Sequence, residues 1–103
     1  MLETATAISN QALIQTAHSL KAIAHPVRLA IVELISQKKS LSVTEIYETL
    51  GLEQAVASQH LSVLRQRNIL SPTRKGKNTY YSLKHACITE VIELMLSTIK
   101  TDG

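Results

Sequence analysis

Apolar side chains return every three or four positions through Ile8, Ala12, Leu13, Ala17, Leu20, Ile23 and Ala24, the spacing of one helical face. That period predicts a first helix from Glu3 to Ala24. Pro26 stands where a helix opens, because the first turn leaves its N–H groups unpaired and proline has none to lose. The run Val27 to Gln37 holds Val27, Leu29, Ala30, Ile31, Val32, Leu34 and Ile35. It predicts a second helix with little polar surface, buried on most sides.

The polar stretch Gln37 to Ser40 interrupts the pattern, and Ser42-Val43-Thr44-Glu45 follows as a capping box, with serine at the cap and glutamate three residues on. The short helix it opens carries Ile46, Tyr47 and Leu50, and Gly51 is placed to close it in the left-handed conformation. A longer helix is expected from Glu53 to Asn68, with Ala57, Leu61 and Leu64 facing inward. Two helices joined by about three residues around a glycine match a helix-turn-helix.

At Ile69 the period changes. Ile69 to Thr73 and Thr79 to Leu83 are β-favouring runs, and Arg74-Lys75-Gly76-Lys77-Asn78 between them reads as a five-residue hairpin loop. From His85 to Lys100 the helical spacing returns through Ile88, Val91, Ile92, Met95, Leu96 and Ile99. The expected fold is mainly α with a small β-hairpin, in the order ααααββα, as one domain over residues 1–103.

Composition narrows the class. A chain of 103 residues has room for one core, and with 45% apolar and 18% charged residues it folds rather than staying disordered. Without Phe or Trp, and with three Tyr, that core must be aliphatic. The single cysteine, Cys87, excludes an intrachain disulfide and a structural zinc site of several thiolates. No apolar run approaches the roughly 20 residues that span a bilayer, and Glu3 stands where a signal peptide would be basic. The expectation is a cytoplasmic protein with no membrane partner.

The distribution of charge says more than its sum of +3. Between Gln54 and Thr89 there is no Asp or Glu, yet Arg65, Arg67, Arg74, Lys75, Lys77 and Lys84 stand there, six of the chain's 11 basic residues. A carboxylate-free basic stretch over the second helix of the pair and the hairpin is an electrostatic footprint for phosphate. In a helix-turn-helix the second helix enters the major groove and offers its outward, N-terminal residues to base edges. With Ala57, Leu61 and Leu64 inward, those positions are Gln54, Ala55, Ser58, Gln59 and Ser62. Glutamine pairs bidentately with adenine and serine serves several bases, so the row suits direct readout of double-stranded DNA. Two roles are open to His60 at the edge of this row: a phosphate contact or a hydrogen bond within the domain. Arg65 and Arg67 lie too far along for base edges and suit phosphate contact or plain surface charge. At the hairpin tip Arg74, Lys75, Lys77 and Asn78 suit the backbone or the adjacent minor groove.

Three segments together resemble the ArsR/SmtB family of winged helix-turn-helix repressors, over nearly all of Leu20 to Leu96. Leu20-Lys21-Ala22-Ile23-Ala24-His25-Pro26-Val27-Arg28-Leu29 is similar to the family's LAxPxRLxIL segment. Val56 to Leu64 resembles its VSxHLxxL recognition helix, and Gly76 to Leu83 its GRxxYYxL wing strand. The resemblance implies a winged helix-turn-helix homodimer whose first and last helices pair, binding a (pseudo)palindromic operator as a repressor released by an inducer. The sequence agrees on the dimer: both terminal helices are long and rich in Ile, Leu and Ala, and alone would expose apolar stripes. The expected interface residues are Ile8, Ala12, Leu13, Ile88, Val91, Ile92 and Met95.

Members of the family often sense metals, and here the chain departs from the pattern. Ser42 and Thr44 stand where one family site has two cysteines, and a hydroxyl is a poor ligand for a soft metal. At the second family site, on the last helix, His85 and Cys87 match the first pair of ligands, but Thr98 and Thr101 replace the second. Four-coordinate zinc would lack two strong ligands, so no metal and no cofactor is expected. Cys87 and His85 remain the candidates for an inducer response. The bland alternatives are a small buried apolar residue for Cys87 and an exposed first-turn residue for His85. A winged-helix protein–protein module is the competing function, disfavoured by the one-sign charge. An enzyme is disfavoured by the scattered His18, His25, His60 and His85 and by the lack of a phosphate loop or carboxylate pair. His25, before Pro26, suits capping or packing.

Overall fold

The computed structural model describes residues 8–102. They form α1 (Asn10–Ile23), α2 (Pro26–Lys38), β1 (Leu41–Ser42), α3 (Val43–Leu50), α4 (Gln54–Gln66), β2 (Leu70–Lys75), β3 (Asn78–Leu83) and α5 (Cys87–Asp102). The order is the expected one with a single addition, strand β1. Leu41 and Ser42 pair antiparallel with Tyr81 and Tyr80, giving a sheet in the order β1-β3-β2. Two residues carry no visible period, and their partners lie far along the chain, so nothing local announces this strand.

The helix ends follow local chemistry. Ser9 caps α1 by accepting the Ala12 N–H at 3.1 Å, so the helix opens at Asn10, later than expected; residues 3–7 of the expected span lie outside the described residues. His25 is extended, as a residue before proline must be, and its Nδ1 accepts the Val27 N–H at 3.1 Å to cap α2. In the capping box at α3, Ser42 Oγ accepts from the Glu45 amide and Glu45 Oε1 from the Ser42 amide. Gly51 closes α3 at φ 65°, with the Leu52 N–H on the Tyr47 carbonyl. Asn68 does the same for α4 at φ 61°: its N–H bonds the Arg65 carbonyl and that of Ile69 the Leu64 carbonyl, a Schellman end with Ile69 and Leu64 both buried.

The hairpin differs from the five-residue loop expected. Arg74 pairs with Thr79 and Lys75 with Asn78, which leaves a turn of Gly76 and Lys77 alone. Exposed charged side chains do not interfere with backbone pairing, and glycine at the first turn position, φ 61°, is the order a type II′ turn calls for. Pro72 fits because β2 is an edge strand.

The core is aliphatic, as composition requires. Ile31, Val32 and Ile35 of α2 are completely buried against Ile46 of α3, Leu61 and Leu64 of α4, Ile69 and, in β2, Leu70, with Tyr81 the aromatic among them. Helix α2 is therefore the element around which the helix-turn-helix and the sheet assemble. Lys39, at its C-terminal end, holds φ 75° and ψ −46°, a region that costs a residue with a Cβ. Lys39→Gly is expected to stabilise the fold by about 1 kcal/mol in urea unfolding. An unchanged or lowered midpoint would show that this conformation carries no strain.

Candidate nucleic-acid interface

Helix α4 stands on the core through Ala57, Leu61 and Leu64, none more than 1% exposed. That fixes its rotation and turns Gln54, Ala55, Ser58, Gln59 and Ser62 outward, all exposed along one side. Gln66 Nε2 donates to Ser62 Oγ at 3.5 Å, a long contact that leaves the serine available. His60 is half-buried on the flank toward α2, its ring centroid 4.8 Å from that of His25. Burial first, then the neighbouring His25 and the Arg28 guanidinium, push its pKa below the ordinary imidazole value.

The wing places Arg74 and Lys75 on a paired strand and Lys77 in the tight turn that follows, rather than all three on a loose loop. Arg74 Nε donates to the Gly76 carbonyl at 3.3 Å, and Lys75 Nζ stands 5.6 Å from the centre of the Tyr80 ring. Lys77 and Asn78 are exposed at the tip. Behind them Lys84 Nζ donates to Asn68 Oδ1 at 3.2 Å and the Lys84 N–H to the Ile69 carbonyl at 3.0 Å. Those two bonds tie the far end of the wing to the end of α4, so helix and wing present their polar surface as one unit. Arg65 is exposed in the last turn of α4, and Arg67 Nη1 lies 3.4 Å from His18 Nδ1 of α1.

The residues expected at a dimer interface divide. Val91 and Met95 are exposed at 48% and 64%, whereas Ile92 is 5% exposed and belongs to the protomer's own core. Ile88, Ala12 and Leu13 are half-buried, Ile88 against that core, and Ile8 is exposed. Leu20 of α1 and Leu94, Leu96 and Ile99 of α5 are also exposed, and the expectation omitted them. Leu20, Val91, Met95, Leu96 and Ile99 line a wholly apolar cavity of about 650 Å³ between α1, α2 and α5. Leu96 and Ile99 were already in the helical period of the sequence; Leu94 falls outside it.

Of the sensor candidates, His85 is exposed just before α5, and Cys87, its first residue, is exposed too. The small buried apolar residue that Cys87 could have been is thereby corrected: in the opening turn of α5 it is Ile88, and not Cys87, that packs against the core. Among the described residues no three His, Cys, Asp or Glu come together as a metal could require. No helix among them is long and apolar enough to cross a membrane.

A helix held by its apolar side with a polar row outward, braced by a basic hairpin, defines a winged helix-turn-helix DNA-binding regulator of transcription. A family model described as a helix-turn-helix domain matches residues 23–73. The transcriptional repressor PagR of Bacillus anthracis is 38% identical over 85% of this chain and 88% of its own length. Its crystal structure superposes with a TM-score of 0.78 over 84% of this chain and 99% of PagR. The transcriptional repressor SdpR of Bacillus subtilis is 33% identical over 77% of this chain and 87% of its own. In solution the homodimeric winged helix-turn-helix domain of Mb0332 from Mycobacterium bovis shares the fold, with a TM-score of 0.80 over 95% of this chain and 91% of that one, at 24% identity. The chain belongs to the ArsR/SmtB family of winged helix-turn-helix transcriptional repressors.

Proposed function

We propose that this regulator works as a homodimeric repressor of a (pseudo)palindromic operator, with α4 of each protomer in a major groove and each wing on the flanking backbone. The observation that carries the reading is the outward row Gln54, Ala55, Ser58, Gln59 and Ser62, in a stretch of chain from Gln54 to Thr89 that contains no carboxylate. The row supplies base-edge donors and acceptors, with His60 at its border, while Arg65, Arg74, Lys75, Lys77 and Asn78 supply phosphate and minor-groove contacts. A protein–protein module has no need of charge of one sign here.

The partner at α1 and α5 is a second copy. Ile99 and Met95 are exposed at 67% and 64% where they line the apolar cavity, and large exposed apolar surface marks an interaction site. Two copies joined there place two α4 helices on one face of DNA, which is what a palindromic operator demands. Release by an inducer would act through α5, whose exposed first residue is Cys87 beside His85.

The test is fluorescence anisotropy with duplex DNA from immediately upstream of the protein's own gene, beside a scrambled duplex, across several salt concentrations. Preference for the upstream duplex by a factor of at least about 10³ is expected. Equal, weak binding to both duplexes that vanishes at moderate salt would defeat operator readout from that site.

A further inference from the structure

Three cationic or titratable side chains meet where the first turn of α2 touches the flank of α4. His25 and His60 stand with ring centroids 4.8 Å apart and planes tilted by 50°. Arg28 acts on the same ring, half-buried, and its Nε is buried without a hydrogen-bond partner. A buried guanidinium N–H left unpaired costs free energy that an anion would recover. His25 is oriented by its cap: with Nδ1 accepting the Val27 N–H, its neutral ring carries hydrogen on Nε2 and keeps a donor to offer. The cluster borders the outward row of α4, since His60 follows Gln59 directly.

We infer that His25, Arg28 and His60 form a phosphate-binding site that clamps the DNA backbone beside the recognition helix. The inference rests on the DNA-binding reading and adds to it two residues at the start of α2, His25 and Arg28, which lie outside the helix-turn-helix and wing. Arg28 supplies a fixed charge, His25 its Nε2–H as a donor, and His60 a donor whose charge depends on pH. In the free protein burial, and after it the neighbouring His25 and Arg28, favour neutral His60. A phosphate dianion or diester oxygen reverses that balance, so DNA binding takes up a proton.

The sign follows. With the pKa of His60 lowered in the free protein and raised by the bound phosphate, affinity rises as pH falls through the window between the two and levels off below it. Of the other titratable groups on elements packed against α4, three have partners: His18 of α1 sits against Arg67, Glu45 of α3 is taken up by the Ser42 amide, and Glu33 of α2 by Gln37. Lys21 completes α1, Lys38 α2, Glu48 and Tyr47 α3, and Arg74 and Lys75 β2.

Ring proton–nitrogen NMR of the full chain, titrated with pH alone, with inorganic phosphate and with a mixed-sequence duplex, tests the site without any substitution. The duplex is expected to raise the His60 titration by about one pH unit, and inorganic phosphate by less. In parallel, duplex affinity should rise by up to about tenfold per pH unit in the window, and this gain should be absent in His60→Gln. Arg28→Gln should raise the His60 titration in the free protein and lower the salt slope of DNA binding by about one. If the duplex binds but leaves His60 unmoved, the clamp is wrong and the groove reading stands. If inorganic phosphate moves His60 and a bound duplex does not, the site takes a free oxyanion and the backbone clamp is overturned. If no duplex binds at low salt, the regulator reading falls together with the clamp.

Discussion

Met95→Glu is expected to turn the protein into a monomer and to lower operator affinity by a factor of roughly 10² to 10⁴. Met95 is 64% exposed in one protomer, on the face of α5 that lines the apolar cavity with Leu20, Val91, Leu96 and Ile99. On the proposed dimer that face is covered by its counterpart, and two-fold symmetry places two carboxylates in one apolar seam. An unpaired buried charge costs several kcal/mol per copy, which a seam of ordinary size cannot absorb. The fold of the protomer should survive, because the core around Ile31, Ile35 and Leu64 does not include Met95. Loss of the dimer removes the linkage between two half-sites, and each α4 then binds alone. Light scattering gives the mass and anisotropy the affinity on the same samples. A mutant that keeps twice the protomer mass and the parent affinity would place the dimer seam elsewhere.

That prediction depends on a distinction which periodicity does not make. The helical spacing of α5 correctly marks Ile88, Val91, Ile92, Met95, Leu96 and Ile99 as apolar positions, yet it cannot say which of them face the protomer's own core. Ile92 does, at 5% exposure, while Val91 and Met95 do not. One amphipathic stripe is shared between two packing partners, and only the tertiary arrangement divides it. Local chemistry is legible at several helix ends: Ser42 with Glu45, Gly51 and Pro26 each mark one through a backbone need satisfied within a few residues. The expected pattern foresees neither the Ser9 cap nor the two-residue hairpin turn. The other contacts that escape a reading of the chain join distant segments. Strand β1 exists only because Leu41 and Ser42 find Tyr81 and Tyr80, and the His25–His60 contact only because α2 crosses α4. The outward row of α4 sits between these extremes. It follows from Ala57, Leu61 and Leu64 being apolar at helical spacing, so its exposure was predictable, whereas the tie from Lys84 to Asn68 that braces the wing against it was not.

Because that row and the wing are read as doing different work, their substitutions should leave different signatures. Gln59 is exposed on the outward side of α4, and a glutamine there can accept from and donate to one adenine edge at once. Gln59→Ala should cost about 1–3 kcal/mol on the operator and almost nothing on scrambled DNA, lowering discrimination by roughly 10- to 100-fold. Lys77 stands exposed in the two-residue turn, and on the proposed reading it contacts phosphate or the minor groove. Lys77→Ala should weaken operator and scrambled DNA alike, and flatten the dependence of log affinity on log salt by about 0.9. Lys77 is the better probe than Lys75, whose ammonium group also rests over the Tyr80 ring, so that its loss would mix charge with packing. The contrast lies in the salt slope as much as in affinity: an uncharged glutamine releases no counterion, so Gln59→Ala should leave the slope unchanged. Equal losses of discrimination from the two substitutions would mean that helix and wing both read sequence, and the division of roles between them would have to be abandoned.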